Sequence, residues 1–318
     1  MVSAMQLHRQ RGVAVVMALL LATLAITIVA SLFWQQQVQV RSIENQRLQL
    51  QTKWILRGAL DWGRLILRED KRFSSIDHLG EPWAVPLAET RLDEYVEKNT
   101  GSDTTGATLS GKIVDAQSRF NLTNLSTNST INQQELATFE RLLTLLNQNP
   151  ALAHAAAEAV AAGQQATASG STGTASSGSG TPSALGIRHY EDLLAVPGFT
   201  PQAVDSLKDF IVVLPRLTSI NVNTAPAEVL AARIETLSIA EATTLVANRE
   251  NTYFRNISEF EQKLPQRTLP SGASSGLGVS TDFFIVYGNV RLDRAIQEMR
   301  ALVERSGNST NVIWIRNY

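Results

Sequence analysis

Few residues in this chain are of a type and spacing that could do chemistry. There is no cysteine among the 318 residues, which excludes thiolate nucleophiles, disulfides, iron–sulfur clusters and cysteine zinc sites together. The four histidines, His8, His78, His154 and His189, are scattered along the sequence, and no Gly-x-Ser-x-Gly, Walker loop or His-Glu-x-x-His occurs. Asp115 could act as a general acid or base. With Arg119 four residues on, it reads instead as fixing a turn beside a sheet, and Asp77, His78 and Trp83 read as turn and packing residues. No catalytic residue, cofactor site or metal site is assigned. The 28 Lys and Arg against 29 Asp and Glu give a net charge of -1, which argues against a protein whose affinity rests on a strongly basic surface, such as a nonspecific nucleic-acid binder. The expectation is a protein that works by assembly, not by catalysis.

The elements that would support such a role begin with an apolar run. Residues 13–33 carry no charged side chain and Trp34 closes the run; about 20 such residues cross the ~30 Å hydrocarbon core as a helix. His8, Arg9 and Arg11 precede it and Gln35, Gln36 and Gln37 follow, so the N-terminus is placed in the cytoplasm and the body across the membrane. A cleaved signal peptide would have a shorter apolar region of about 7–15 residues and a small-x-small site, and Ile28-Val29-Ala30 is a poor one. Helical periodicity continues through Leu48, Ile55, Ala59, Trp62 and Ile66, with Lys53, Arg57, Asp61, Arg64 and Arg68 on another face. Without proline to about Glu69, one helix of roughly 85 Å is expected. Its outer half needs an apolar partner, expected to be a sheet.

Residues 76–125 are short apolar runs broken by turn chemistry. Residues 126–160 turn helical, with Asn132 and Glu135 expected as a capping box and Leu136, Phe139, Leu143 and Leu146 as the buried stripe. Every residue from Ala166 to Thr181 is Ala, Gly, Ser or Thr, which buries too little to offset ordering entropy and is expected as a disordered loop. Helix starts are marked by Thr200-Pro201, by Pro226 with Glu228, and by capping boxes at Ser238…Glu241 and Ser258…Glu261. Beyond the Gly/Ser-rich Ser271–Gly278, Phe283–Tyr287 and Asn311–Ile315 read as strands. The fold class is α+β, with a sheet split in sequence by a helical insertion.

Three segments carry a family resemblance: Asp77-His78-Leu79-Gly80-Glu81-Pro82-Trp83-Ala84-Val85-Pro86; Gly111 to Leu122 with Asp115, Arg119 and Asn121; and Ile220-Asn221-Val222-Asn223-Thr224-Ala225-Pro226 followed by Val229-Leu230. Behind the leader Arg9-Gln10-Arg11-Gly12-Val13, they resemble general secretion pathway protein K, a minor pseudopilin of the type II secretion system. The resemblance implies a prepilin leader at 1–12, cut by prepilin peptidase after Gly12 with methylation at Val13. It implies a transmembrane helix at 13–34, continued in the periplasm through 35–72. A pilin-like antiparallel sheet would lie at 73–125 and 271–318, around an inserted helical domain at 126–270. Such a protein sits in the inner membrane with a short cytoplasmic N-terminus. It helps initiate or cap the pseudopilus tip during export of folded proteins across the outer membrane. The implied partners are other minor pseudopilins, the major pseudopilin, the inner-membrane assembly platform and the prepilin peptidase.

Pilin-like proteins carry Glu five residues after the cut, facing a neighbour's N-terminal amine; here that position is Met17. An unpaired carboxylate at such depth costs about 2.5–3.5 kcal/mol, and a tip subunit has no neighbour above to pair it, so Met17 fits the tip. Calcium, bound by some members through an acidic stretch in the insertion, is not carried over, because Glu158 is the only carboxylate in the corresponding region. The alternative reading is a membrane-anchored helix-hairpin-helix DNA receptor, suggested by Asn221–Pro226. Residues 182–270 hold 8 Lys and Arg against 10 Asp and Glu, a net of -2, where a DNA binder should be basic. Gly12→Ala is expected to leave the leader attached, which the intact mass of the extracted protein checks.

Overall fold

The structure, a computed structural model, describes residues 11–92, 106–170, 186–249, 252–266, 269 and 273–318. Residues 1–10 of the expected leader and 171–181 of the expected loop lie outside that set. Helix α1 (Arg11–Phe73) is unbroken for 63 residues, about 95 Å at 1.5 Å per residue. It is long and apolar enough to cross a membrane, and Val13 to Trp34 are exposed throughout. Thr23 Oγ1 donates to Leu20 O at 3.0 Å and Thr27 Oγ1 to Leu24 O at 2.8 Å, so both hydroxyls are satisfied within the helix, as hydrocarbon requires.

The outer half of α1 lies on a sheet, burying Thr52, Leu56, Leu60, Gly63 and Leu67 at steps of three and four. The expected stripe is displaced by one position: Ile55, Ala59 and Ile66 form its half-buried flank, and Trp62 is 48% exposed. Both lines of residues are apolar, so periodicity alone does not separate them. The sheet takes the line that brings Gly63 close, where an added Cβ would meet Ile113 Cδ1 at 3.5 Å and Val286 Cγ1 at 3.6 Å.

The sheet is an antiparallel meander of β1 (Leu87–Arg91), β2 (Thr108–Asp115), β3 (Phe283–Leu292), β4 (Ala295–Ser306) and β5 (Ser309–Asn317), ordered in space as in sequence. The helical insertion therefore leaves and rejoins between two paired neighbours, β2 and β3. Phe283 to Val286 form a continuous apolar run because both faces are covered there. Phe284 and Val286 pack under α1 with Val290, Met299, Ala301 and Val303, while Phe283 and Ile285 meet Val212 and Leu214 of the insertion. Where β2 crosses β3, Gly111 faces Gly288, and a Cβ on Gly111 would lie 2.6 Å from Tyr287 O. Both edge strands are irregular, β1 between Leu87 and Thr90 and β5 opposite Leu302 and Val303, which hinders edge-to-edge pairing.

The inserted unit holds α2 (Gln133–Leu145), α3 (Leu152–Gly170), α4 (Pro201–Leu207), α5 (Ala227–Arg233), α6 (Ile239–Arg249) and α7 (Ile257–Lys263). It starts earlier than residue 126, because Phe120, Leu122 and Leu125 are already in its core, with the Phe120 and Phe139 rings stacked at 5.4 Å. Leu136, Phe139 and Leu143 are buried as expected, whereas Leu146 is half-buried.

Several helix starts follow the sequence and two do not. Thr200 Oγ1 accepts from Ala203 N at 3.2 Å, and the Ser238–Glu241 box closes in both directions at 2.9 and 3.3 Å. Asn132 caps α2, but Glu135 is drawn inward to Arg233 at 2.6 Å and does not reach back. At α7 the cap is Asn256, accepting from Glu259 N at 2.9 Å, and not Ser258. Helix α3 also runs on through 166–170, into the segment expected as loop, because the alanine-rich stretch before it propagates helix readily.

Leu60 is fully buried and Trp62 is not. Leu60→Ala is therefore expected to cost about 2–5 kcal/mol of unfolding free energy and Trp62→Ala less than about 1 kcal/mol, measured by chemical denaturation; the reverse order would place the expected stripe back on the sheet.

Candidate functional site

The three sequence segments singled out above converge on one buried junction between the sheet and the helical unit. Asp115, the last residue of β2, is its hub. Its Oδ1 accepts from Gln117 N at 2.7 Å, closing a turn over Ala116–Ser118. Its Oδ2 accepts from Thr224 Oγ1 at 2.5 Å, Thr281 Oγ1 at 2.6 Å and Asn221 Nδ2 at 2.9 Å. Asn221, with no exposed surface, also donates to Asp77 O at 3.0 Å and accepts from Asn223 N at 3.0 Å. Asn223 then holds Phe254 through both its main-chain N–H and C=O, at 2.8 and 2.9 Å. Arg119, expected to share the Asp115 turn, instead reaches the helical unit and donates to Lys208 O at 3.2 Å, after α4.

The first segment is fastened from below by Arg305, on β4. Its side chain is fully buried and ion-paired with Asp77 and, at 2.8 Å, with Asp70 at the end of α1. It also donates to Thr281 O at 2.8 Å and to Leu67 O at 3.4 Å, and lies 4.7 Å over the Phe284 ring. Asp77 Oδ2 accepts from Thr281 N at 2.7 Å. Glu81 Oε2 accepts from Trp83 Nε1 at 2.7 Å and His78 N at 3.0 Å, which shapes the turn carrying Trp83 into the core. The His78 ring stacks on Tyr253 at 3.9 Å.

Burial sets the electrostatics. It raises the Asp115 carboxyl to about 6, opposed by the hydroxyls of Thr224 and Thr281. Burial, then the charge of Glu81, raises Asp70 to about 6 against its bonds to Arg305, and burial also raises Glu81. His78 is lowered by burial. A carboxyl raised in the folded state stabilises most below its unfolded value near 4 and loses that contribution as pH climbs through about 6.

The arrangement joins the sheet to the helical unit: most of its polar atoms are buried and hydrogen-bonded to one another, with Arg305 Nε and Arg119 Nε left without a partner. Among the described residues, Asp70, Asp77 and Glu81 are a carboxylate trio with oxygens within 4.8 Å, but the Arg305 guanidinium lies on two of the three. Among the described residues of the region implied by the family, Glu158 is exposed on α3 with His154 at 3.4 Å and offers one carboxylate against the 6–8 oxygens that calcium takes. Gly12 and Val13 stand at the start of α1 as described, and Met17 is 59% exposed on it; none of the three touches the junction. Asp70, Thr281 and Arg305 were absent from the sequence reading, and no spacing marks them.

Two family models described as type II secretion system (T2SS), protein K, match residues 118–216 and 220–280, together half of the chain. Type II secretion system protein K of Pseudomonas aeruginosa is 28% identical over 312 residues, covering 93% of this chain and 89% of the relative. The protein of the same name from Klebsiella pneumoniae is 24% identical over 330 residues, covering 96% of each. A chain in the crystal structure of the GspK-GspI-GspJ complex from the enterotoxigenic Escherichia coli type 2 secretion system superposes with a TM-score of 0.65 at 17% identity. That match covers 87% of this chain and 99% of that one, and it bears out the α+β fold with the long N-terminal helix on an antiparallel sheet.

Asn221→Ala would strip Asp115 of a donor and leave Asn223 N without its acceptor. A loss of about 2–4 kcal/mol is expected, read by denaturant unfolding of the full chain; a loss under about 1 kcal/mol would remove Asn221 from the centre of the junction.

Proposed function

The chain belongs to the type II secretion system protein K family and is a minor pseudopilin of type II secretion, and we propose that it initiates or caps the tip of the periplasmic pseudopilus. The observation that carries the proposal is the placement of the helical unit. Thr52 on α1 meets Gln297 at 3.0 Å, whereas Arg305 at the other end of β4 meets Leu67 O at 3.4 Å. The sheet thus runs along α1, and the junction with the helical unit is at its membrane-distal end. The unit covers the sheet face opposite α1 and the distal end, and its bulk at that end obstructs addition of a subunit above it. Met17, in place of the acidic residue that would pair with such a neighbour, supports the same position.

Prepilin peptidase removes the leader after Gly12 and methylates Val13; residues 13–34 then anchor the protein in the inner membrane with its body in the periplasm. Other minor pseudopilins pack beside α1, in keeping with the similarity to a chain of the GspK-GspI-GspJ complex, and the major pseudopilin and assembly platform follow below. The role is structural, with no reaction assigned.

The DNA-receptor reading is disfavoured by where the amides of 222–225 go. Val222 N donates to Gly278 O at 2.9 Å, Asn223 N to Asn221 Oδ1 at 3.0 Å, and Thr224 N and Ala225 N to Asn221 O at 3.2 and 2.9 Å. None of the four remains to grip a phosphate.

Expression with and without a prepilin peptidase, followed by intact mass and co-purification with other minor pseudopilins, tests the proposal. A peptidase-dependent product starting at Val13 with one added methyl, eluting with those partners, is expected. An unprocessed chain that binds duplex DNA in a salt-dependent manner would replace it with the receptor reading.

A further inference from the structure

Asp70, Asp77 and Glu81 bring three carboxylates within 4.8 Å of one another, and one guanidinium, that of Arg305, serves two of them. Asp77 is fully engaged by Arg305 and Thr281 N. Glu81 spends Oε2 on Trp83 and His78, and its other oxygen has His78 Nε2 at 4.0 Å as its nearest basic group. That histidine cannot readily supply a charge, because its Nδ1 accepts from Gly80 N at 3.1 Å and burial favours its neutral form. Lys71 follows Asp70 on α1, and other charged groups near the cluster are committed elsewhere. Glu69 faces Arg68 and Arg72, Asp282 faces Arg216, Arg119 faces Asp209, and Arg249 donates to Val222 O. Asp115, on the far side of Thr281, adds a fourth carboxylate and no cation.

Two like charges this close in a buried site do not both ionise freely; a proton taken up by either one relieves the repulsion. We propose that Asp70 and Glu81 hold one proton between them as a pair in mildly acidic surroundings, and that its release toward neutral pH loosens the fastening of the Asp77–Trp83 segment to the end of α1. The joint between the long helix and the head is therefore firmer in mild acid. The shifts of both carboxyls, upward through burial, agree in sign: the stabilisation is complete below about pH 4 and fades as pH rises through the raised value of Asp70, about 6.

The test is thermal unfolding of the full chain in detergent at pH 5 and pH 7.5, for the unmodified protein and for Glu81→Gln. The glutamine oxygen can keep the Trp83 and His78 bonds, and its amide stays neutral at both pH values. The unmodified protein is expected to lose about 2–4 °C more than Glu81→Gln between the two pH values, for each factor of roughly 10 in proton affinity. Asp115 contributes a slope of its own, common to both proteins. Asp70→Asn, which retains a carbonyl acceptor for Arg305, should flatten the profile in the same way and decides the matter if Glu81→Gln does not fold. Parallel profiles for the unmodified protein and either folded variant would overturn the proposal.

Discussion

One buried guanidinium holds the head of this molecule to its stalk. Arg305 faces Asp77 and Asp70 with no exposed surface of its own and reaches main-chain oxygens of both α1 and the segment before β3. Charges removed from water are tolerable only when matched and bonded, and losing one partner leaves the others uncompensated. The position of the 77–83 turn, and through Thr281 that of Asp115, depends on this cation.

Asp115 passes the constraint on to the inserted unit. A carboxylate that accepts from one main-chain N–H and three side chains fixes β2, the start of β3 and the Asn221–Thr224 turn relative to one another. The three family segments are thus three walls of one joint, which accounts for their common residue types. Asp, Asn and Thr are short, carry donors and acceptors in fixed directions, and satisfy main-chain groups where strands give way to turns. The chemistry of these residues is spent on geometry.

The two halves of α1 answer to different surroundings. The inner half exposes apolar side chains all round, as lipid or neighbouring helices require. The outer half buries one line of leucines on β3 and β4 and leaves Trp54 and Trp62 outward. Continuous helix geometry links them from Arg11 to Phe73, with Asp70 at the joint.

Much of this was legible in the residues themselves. An uncharged run the width of a bilayer, caps such as Thr200 and Ser238, and the β-rich strings at Phe283 and Asn311 act through local propensity and solvation, which need no partner. The three segments also pointed to the family, and their meeting point was theirs to make. What local pattern could not reach was decided by partners distant in sequence. Ala295–Ser306 carries helix formers (Ala, Gln, Glu, Met, Arg), yet it is a strand because β3 and β5 offer pairing on both sides. Glu135 abandons its cap for Arg233 across the core. Arg305, 228 residues from Asp77, has no spacing to betray it. A charge buried by packing is recognisable only once the packing brings its counter-charges to it.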